Sequence, residues 1–257
     1  MNEYFALKKQ VIQLIIDKSV LFDKLEELDV AKKMLRDNGY RNFVSCSKIK
    51  QAEFFEPNLK MYKTAPFQEW CDYFEMDCRV SRHLMGNLIQ FERTINSRIT
   101  HHISEMMANN EFSNFEKNAI IQIISQTRDR KDVRFSKYIG NETWEYIPKM
   151  TFGEMKRLVF WLYDNRHDVY SKISEGYLFL NRNAKRRLDN LNELRNNLFH
   201  FTPLSVYLTE NTQNYNQRKK VANWISKLSV SQEMRDALNE ICGYSANYVK
   251  IKNSLQK

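Results

Sequence analysis

The sequence predicts an all-α protein, and three observations carry that prediction. Glycine and proline are scarce, with Gly 6 and Pro 4 in 257 residues, which leaves few of the punctuators that turn-rich β folds need. Apolar residues recur at spacings of three and four and do not alternate, the period of helices packed on a core. Helix boundaries are written into the chain, as at Thr151-Phe152-Gly153-Glu154, where Thr and Glu three apart form a capping box. The length suffices for a sizeable core. The chain is read as one domain over residues 1–257, in which N-terminal helices and a loop (1–65) pack on a bundle formed by 66–257.

Taken in order, residues from about Tyr4 to Ile16 read as an amphipathic helix. Asp29 is a candidate cap for a second, running to Arg36 and stopped by Asn38-Gly39. Residues 45–65 have no sustained period and are expected to be loop with one short helix. From Pro66, suited to a first turn, the pattern is helical to about Met107, with a break expected near Asp77. Leu84, Leu88, Phe91, Ile95, Ile99 and Ile103 make one apolar stripe along it. Beside the stripe, Glu92, Arg93 and Arg98 read either as a structural ion-pair network or as contacts to a substrate.

His101-His102 is expected not to hold a metal. That expectation rests on adjacent histidines pointing to different faces of a helix and on no acidic or cysteine partner one turn on. A helix follows from Asn110 to Ser125. Arg128 to Arg134 is either a phosphate contact or a solvated surface, since Asp129 and Asp132 dilute its charge. The capping box at Thr151 opens a helix through Leu162. Residues Thr209 to Lys220, polar and rich in Asn and Gln, are expected as a mobile loop. A last helix runs from Ser231 to Tyr248. Trp224, Tyr244 and Tyr248 are either core or stacking surfaces.

Charge narrows the partners. Lys and Arg number 40 against 31 Asp and Glu, a formal charge of +9, which suits a nucleic acid or an anionic membrane surface without choosing between them. The apolar run from Val11 to Phe22 is interrupted by Gln13, Asp17 and Lys18, so it is too short and too polar to span a bilayer. Met1-Asn2-Glu3-Tyr4 does not read as a signal peptide. Cys46, Cys71, Cys78 and Cys242 show no paired metal-ligand spacing, and a cytoplasmic location is expected. No cofactor and no metal are expected.

The richest stretch is Leu191-Asn192-Glu193-Leu194-Arg195-Asn196-Asn197-Leu198-Phe199-His200. At about 100° per residue, Leu191, Leu194, Leu198 and Phe201 fall within roughly 80° of one another, and Glu193, Asn196 and His200 fall opposite. Asn196, Asn197 and His200 are poor helix formers, so propensity is sacrificed for another purpose. Upstream, Arg182, Lys185, Arg186 and Arg187 precede this motif on what reads as the same helix, a cluster suited to a phosphate backbone without base reading.

Arg195-Asn196 followed by His200, with Leu194 before them, resembles the R-x4-6-H motif of the HEPN ribonuclease superfamily, and specifically its Abi-like (abortive-infection) branch. Three further blocks resemble that family, in family order. They are Gly39-Tyr40 after a helix; Glu92-Arg93, Arg98 and a His shortly before Ser104-Glu105; and Trp144 leading through Pro148 to Thr151-Phe152-Gly153. The resemblance implies a HEPN-like helical bundle with additional helices. It also implies a homodimer in which two motifs face one another, and metal-independent RNA cleavage in phage defence or as a toxin. Some family members are restrained by a small non-coding RNA. One departure stands out: Phe201-Thr202-Pro203-Leu204 occupies the place where the family commonly carries a second His.

The residue types fit that chemistry. Cleaving RNA without a metal needs a base for the 2′-hydroxyl, an acid for the 5′-oxygen and a cation on the phosphate. Histidine transfers protons near neutral pH, and arginine can hold two phosphate oxygens. The expected catalytic set is therefore Arg195, Asn196 and His200, with Asn196 orienting His200 or binding phosphate. Arg182, Lys185, Arg186, Arg187, Arg93 and Arg98 are the expected RNA contacts. The alternative is a non-catalytic helical dimer that holds a small structured RNA.

Overall fold

A computed structural model describes residues 9–15, 20–125, 147, 150–210, 212–228 and 231–256. It is mostly helical, in agreement with the all-α prediction. The chain divides into two compact units, Met1–Met85 with Leu194–Lys257, and Gly86–Glu193. Arg128 to Arg134 and Trp144 lie outside the described residues.

In the discontinuous unit, α1 (residues 9–15), α2 (Leu25–Asn38) and α3 (Tyr40–Lys50) come first. Helix α2 starts four residues before Asp29, which does not cap it. Asp29 is instead ion-paired one turn on with Lys32 at 2.7 Å. Gly39 separates α2 from α3 with φ at +77°, a conformation that favours glycine. Residues 45–65, expected as loop with one short helix, hold the rest of α3, a 3₁₀ turn (Gln51–Phe54) and a small hairpin of β2 (Phe55–Glu56) on β3 (Met61–Tyr62). The buried face of α3 includes Cys46 and Ser47, which blurs its apolar period. Strand β1 (Val20–Leu21) pairs in parallel with β4 (Ala65–Pro66).

Helix α4 (Phe67–Ala108) is 42 residues long. Its first half builds the core of this unit, where Phe43 sits among Phe67, Trp70 and Phe74 at ring distances of 5.4 to 6.1 Å. The break expected near Asp77 does not occur, for Asp77 lies buried within a continuous helix. The C-terminal part of the unit contains α9 (Leu204–Thr209), α10 (Tyr215–Ser226) and α11 (Gln232–Leu255). Helix α11 packs on α3, α9 and α10. Thr209 to Lys220, expected as a loop, is largely structured as the end of α9, a 3₁₀ turn and the start of α10. Arg218 is buried there, donating to the Tyr207 carbonyl and stacking 4.7 Å from the Tyr207 ring. Ser231 caps α11 by accepting from the Met234 N–H. Tyr244 is committed inside the fold, accepting from Lys50 at 2.8 Å and meeting Tyr73 edge-on.

The contiguous unit holds the second half of α4, then α5 (Asn114–Ser125), α6 (Phe152–Asn165) and α7 (His167–Ile173). The stripe Leu88, Phe91, Ile95, Ile99 and Ile103 is at most 1% exposed, as its spacing predicts. Phe91 packs against Phe152, Tyr177 and Phe179. The capping box is formed, with Thr151 N donating to Glu154 Oε2 at 2.6 Å and Glu154 N to Thr151 Oγ1 at 3.4 Å. Helix α6 continues to Asn165, three residues past the expected Leu162.

Candidate functional site

Helix α8 (Ala184–Phe199) carries the polar motif in its last turns. Leu188, Leu191, Leu194 and Leu198 are buried, and Glu193, Asn196 and His200 are exposed, so the two faces read from the sequence are present. Phe201 departs from the wheel. The helix stops at Phe199, and Phe201 takes φ of +56° in a turn closed by Phe201 N to Leu198 O and Thr202 N to Asn197 O, both 3.0 Å. That is a Schellman closure in which phenylalanine occupies the left-handed position usually given to glycine. The ring expected in the core is therefore 79% exposed.

The turn is held from below. Asp77 accepts from the backbone N–H groups of Leu204 at 2.7 Å and Ser205 at 2.8 Å, and from Ser81 Oγ at 3.1 Å. Burial pushes its carboxyl above the ordinary carboxylate range, while the donors from Ser205, Leu204 and Ser81 oppose that rise. Asn42 Nδ2 adds a 3.4 Å contact to the Phe201 carbonyl. Neither Asp77 nor Asn42 was singled out as a support from sequence. The signal for Asp77 was present, since it falls on the apolar face that runs through Trp70, Phe74 and Leu84.

Arg195 lies flat on Phe199, 4.2 Å from the ring centroid, and its Nη1 reaches Asn196 Oδ1 at 3.5 Å. Its Nε is buried and has no hydrogen-bond partner among the described residues. Asn196 links to His200 through the backbone, His200 N donating to Asn196 O at 3.0 Å. Beyond His200 opens a groove of about 930 Å³, with Met34, Phe74, Met85 and Leu198 in its wall and His200 and Phe201 at the helix end. Asp37, Asp72 and Glu75 line it together with Arg79 and Arg82. The groove thus carries both signs of charge, and Arg195 does not line it.

The remaining candidates belong to the contiguous unit. Arg98 donates to the Ile173 carbonyl at 2.9 Å and to the Glu175 carbonyl, and faces the Tyr177 ring at 5.3 Å, so it caps the end of α7. Arg93 is exposed. Arg182 lies in a bend just before α8, outside the helix expected to carry it. Lys185 pairs with Asp164 at 2.5 Å, and Arg187 donates to the Phe179 carbonyl. Arg186 is exposed and interacts within the protein. Arg182 offers the cleanest test of the cluster. Replacing it with alanine should lower the log–log salt slope of RNA binding by roughly 0.7 if it contacts a single strand. An unchanged slope in a filter-binding titration would leave it a solvated charge.

The geometry of His101 and His102 removes the reasons for which no metal was expected there. Their rings approach to 5.1 Å, and Glu105 is the acidic partner one turn after His101, with its carboxylate 3.9 Å from His102 Nδ1. Burial, with help from His101, holds His102 below the ordinary histidine value. The cysteines are poor nucleophiles. Burial pushes Cys71 up to about 12 and Cys78 and Cys242 to about 11, so the reactive thiolate is scarce at neutral pH. Among the described residues no helix is long and apolar enough to cross a membrane. Comparisons with protein-family models, curated proteins and solved structures find no match to this chain.

Proposed function

We propose that the protein is a metal-independent endoribonuclease of HEPN type, acting in the cytoplasm in phage defence or as a toxin, with no cofactor. In this reading Arg195 and His200 work at the interface of a homodimer, with Asn196 beside them. The observation that supports it most is the buried, unpartnered Nε of Arg195 next to the exposed Asn196 and His200. A buried donor without an acceptor is costly, and a phosphate oxygen would satisfy it in a charge-assisted bond. His200 at the helix end is then a free imidazole within one turn of a phosphate-binding cation. Expressing the chain in growing cells tests the reading. Arrest relieved by His200→Ala supports it, and arrest that persists in the variant removes it.

Two-fold symmetry follows from counting proton-transfer groups. One protomer supplies one motif histidine, and 2′-hydroxyl attack needs both a base and an acid, so two copies with opposed His200 faces complete the site. Solution scattering at micromolar concentration should give the mass of a dimer. A monomer that still cuts RNA would sink this arrangement.

The exposed Phe201 ring favours a second reading, a non-catalytic dimer that holds a small structured RNA by stacking a base at the helix end. Tight binding of RNA without any cleavage would select it.

A further inference from the structure

We propose that His101, His102 and Glu105 form a binding site for a divalent transition metal of the zinc type on α4, separate from the ribonuclease chemistry. Their donor atoms all lie within 4.8 Å of one another. Glu105 stands four residues after His101 and three after His102, the two spacings that bring helix side chains together. The group is half open, since His102 is 20% exposed and Glu105 55%. His102 Nδ1 is nevertheless shielded from solvent and has no hydrogen-bond partner among the described residues, and it stands 3.9 Å from the Glu105 carboxylate. A polar atom in that condition is unusual in a native fold, and a bound cation explains it.

The donor set selects the ion. Two imidazoles with one carboxylate suit zinc, cobalt, nickel or copper, whereas calcium and magnesium prefer all-oxygen shells. Tetrahedral zinc, about 2.1 Å from each donor, sets its ligands roughly 3.4 Å apart. The three side chains must therefore draw in from their present separation, which small χ rotations of exposed residues allow. Three donors from one helix leave a coordination position for water or for a fourth ligand.

Two cations oppose the ion. Arg98 is already committed to the Ile173 and Glu175 carbonyls. Lys172 is exposed and near enough to depress His102. Removing the Lys172 charge should therefore strengthen metal binding, an effect that non-specific histidine binding would not show.

The test titrates the full chain with Zn²⁺ against a chromophoric competitor and records the visible d–d absorption with Co²⁺, while circular dichroism checks folding. The wild type should take up one Zn²⁺ per chain. His101→Ala, His102→Ala and Glu105→Ala should each bind at least about tenfold more weakly, since even residues behind the ligands cost that much. Lys172→Met, which keeps all three donors, should bind a few-fold more tightly. No uptake by the folded wild type, full affinity in the His101→Ala/His102→Ala double variant, or unchanged affinity in Lys172→Met would each overturn the site. RNA cleavage is not a readout here, so the outcome is independent of the nuclease reading.

Discussion

His200→Ala should reduce RNA cleavage by about a hundredfold or more, the usual loss when a general acid–base group is removed. RNA affinity should stay within a few-fold, because the proposed phosphate contact is the Arg195 guanidinium, which the variant keeps. Arg195→Ala should damage both cleavage and affinity if its guanidinium, which lies over the Phe199 ring, holds the phosphate through binding and transition state alike. Single-turnover kinetics with a labelled RNA, paired with equilibrium binding, separate the two effects. Cleavage should persist in excess chelator even if α4 holds a metal. Products should end in cyclic phosphate and 5′-hydroxyl, and a 2′-deoxy sugar at the cut site should block the reaction. RNA cut equally well by His200→Ala would move the reading to the binding module.

Asp77→Ala should destabilise the protein by about 3 kcal/mol, because it strands the buried N–H groups of Leu204 and Ser205 without acceptors. Urea unfolding at neutral pH checks the loss. Asp77→Asn, which keeps one carbonyl acceptor of the same shape, should recover part of it. The variant also loosens the turn behind His200, so at temperatures where Asp77→Ala remains folded, cleavage should fall while the helical circular dichroism is retained. A stability change within about 0.5 kcal/mol, the range of an ordinary surface substitution, would show that the hydrogen bonds to α9 carry little weight.

The sequence revealed those features whose cause is local. The stripe from Leu84 to Ile103, the Thr151–Glu154 box and the leucine face of α8 each follow from spacing within one helix. What it hid depends on distant partners or on where a helix stops. Phe201 sits on the leucine side of the wheel only while the helix continues, and the helix ends two residues earlier. Arg98 reads as either a structural ion pair or a substrate contact, and its bonds to the carbonyls at the end of α7, 75 and 77 residues away, show only in the fold. The polar run after Thr209 conceals α10, whose buried residues Tyr215, Val221, Ala222 and Ile225 are sparse among Asn, Gln and Lys. In the candidate site, residue types and spacing were legible for Arg195, Asn196 and His200. Asp77 showed only as a carboxylate on an apolar face, and Asn42 not at all, because the partners of each lie more than a hundred residues away.

The split origin of the unit carrying His200 bears on how the chain is made. Its first 85 residues leave the ribosome long before the remainder, from Leu194 onward, has been synthesised. Until then Asp77 has no Leu204 to bind, and Lys50 lacks Tyr244, 194 residues downstream. The intervening unit is continuous and can close as soon as it emerges. Translation therefore favours an order in which Gly86–Glu193 folds first, while the face of α3 that meets α9 and α11 waits uncovered. Ribosome stalling before residue 194 should leave that α3 face as a chaperone target.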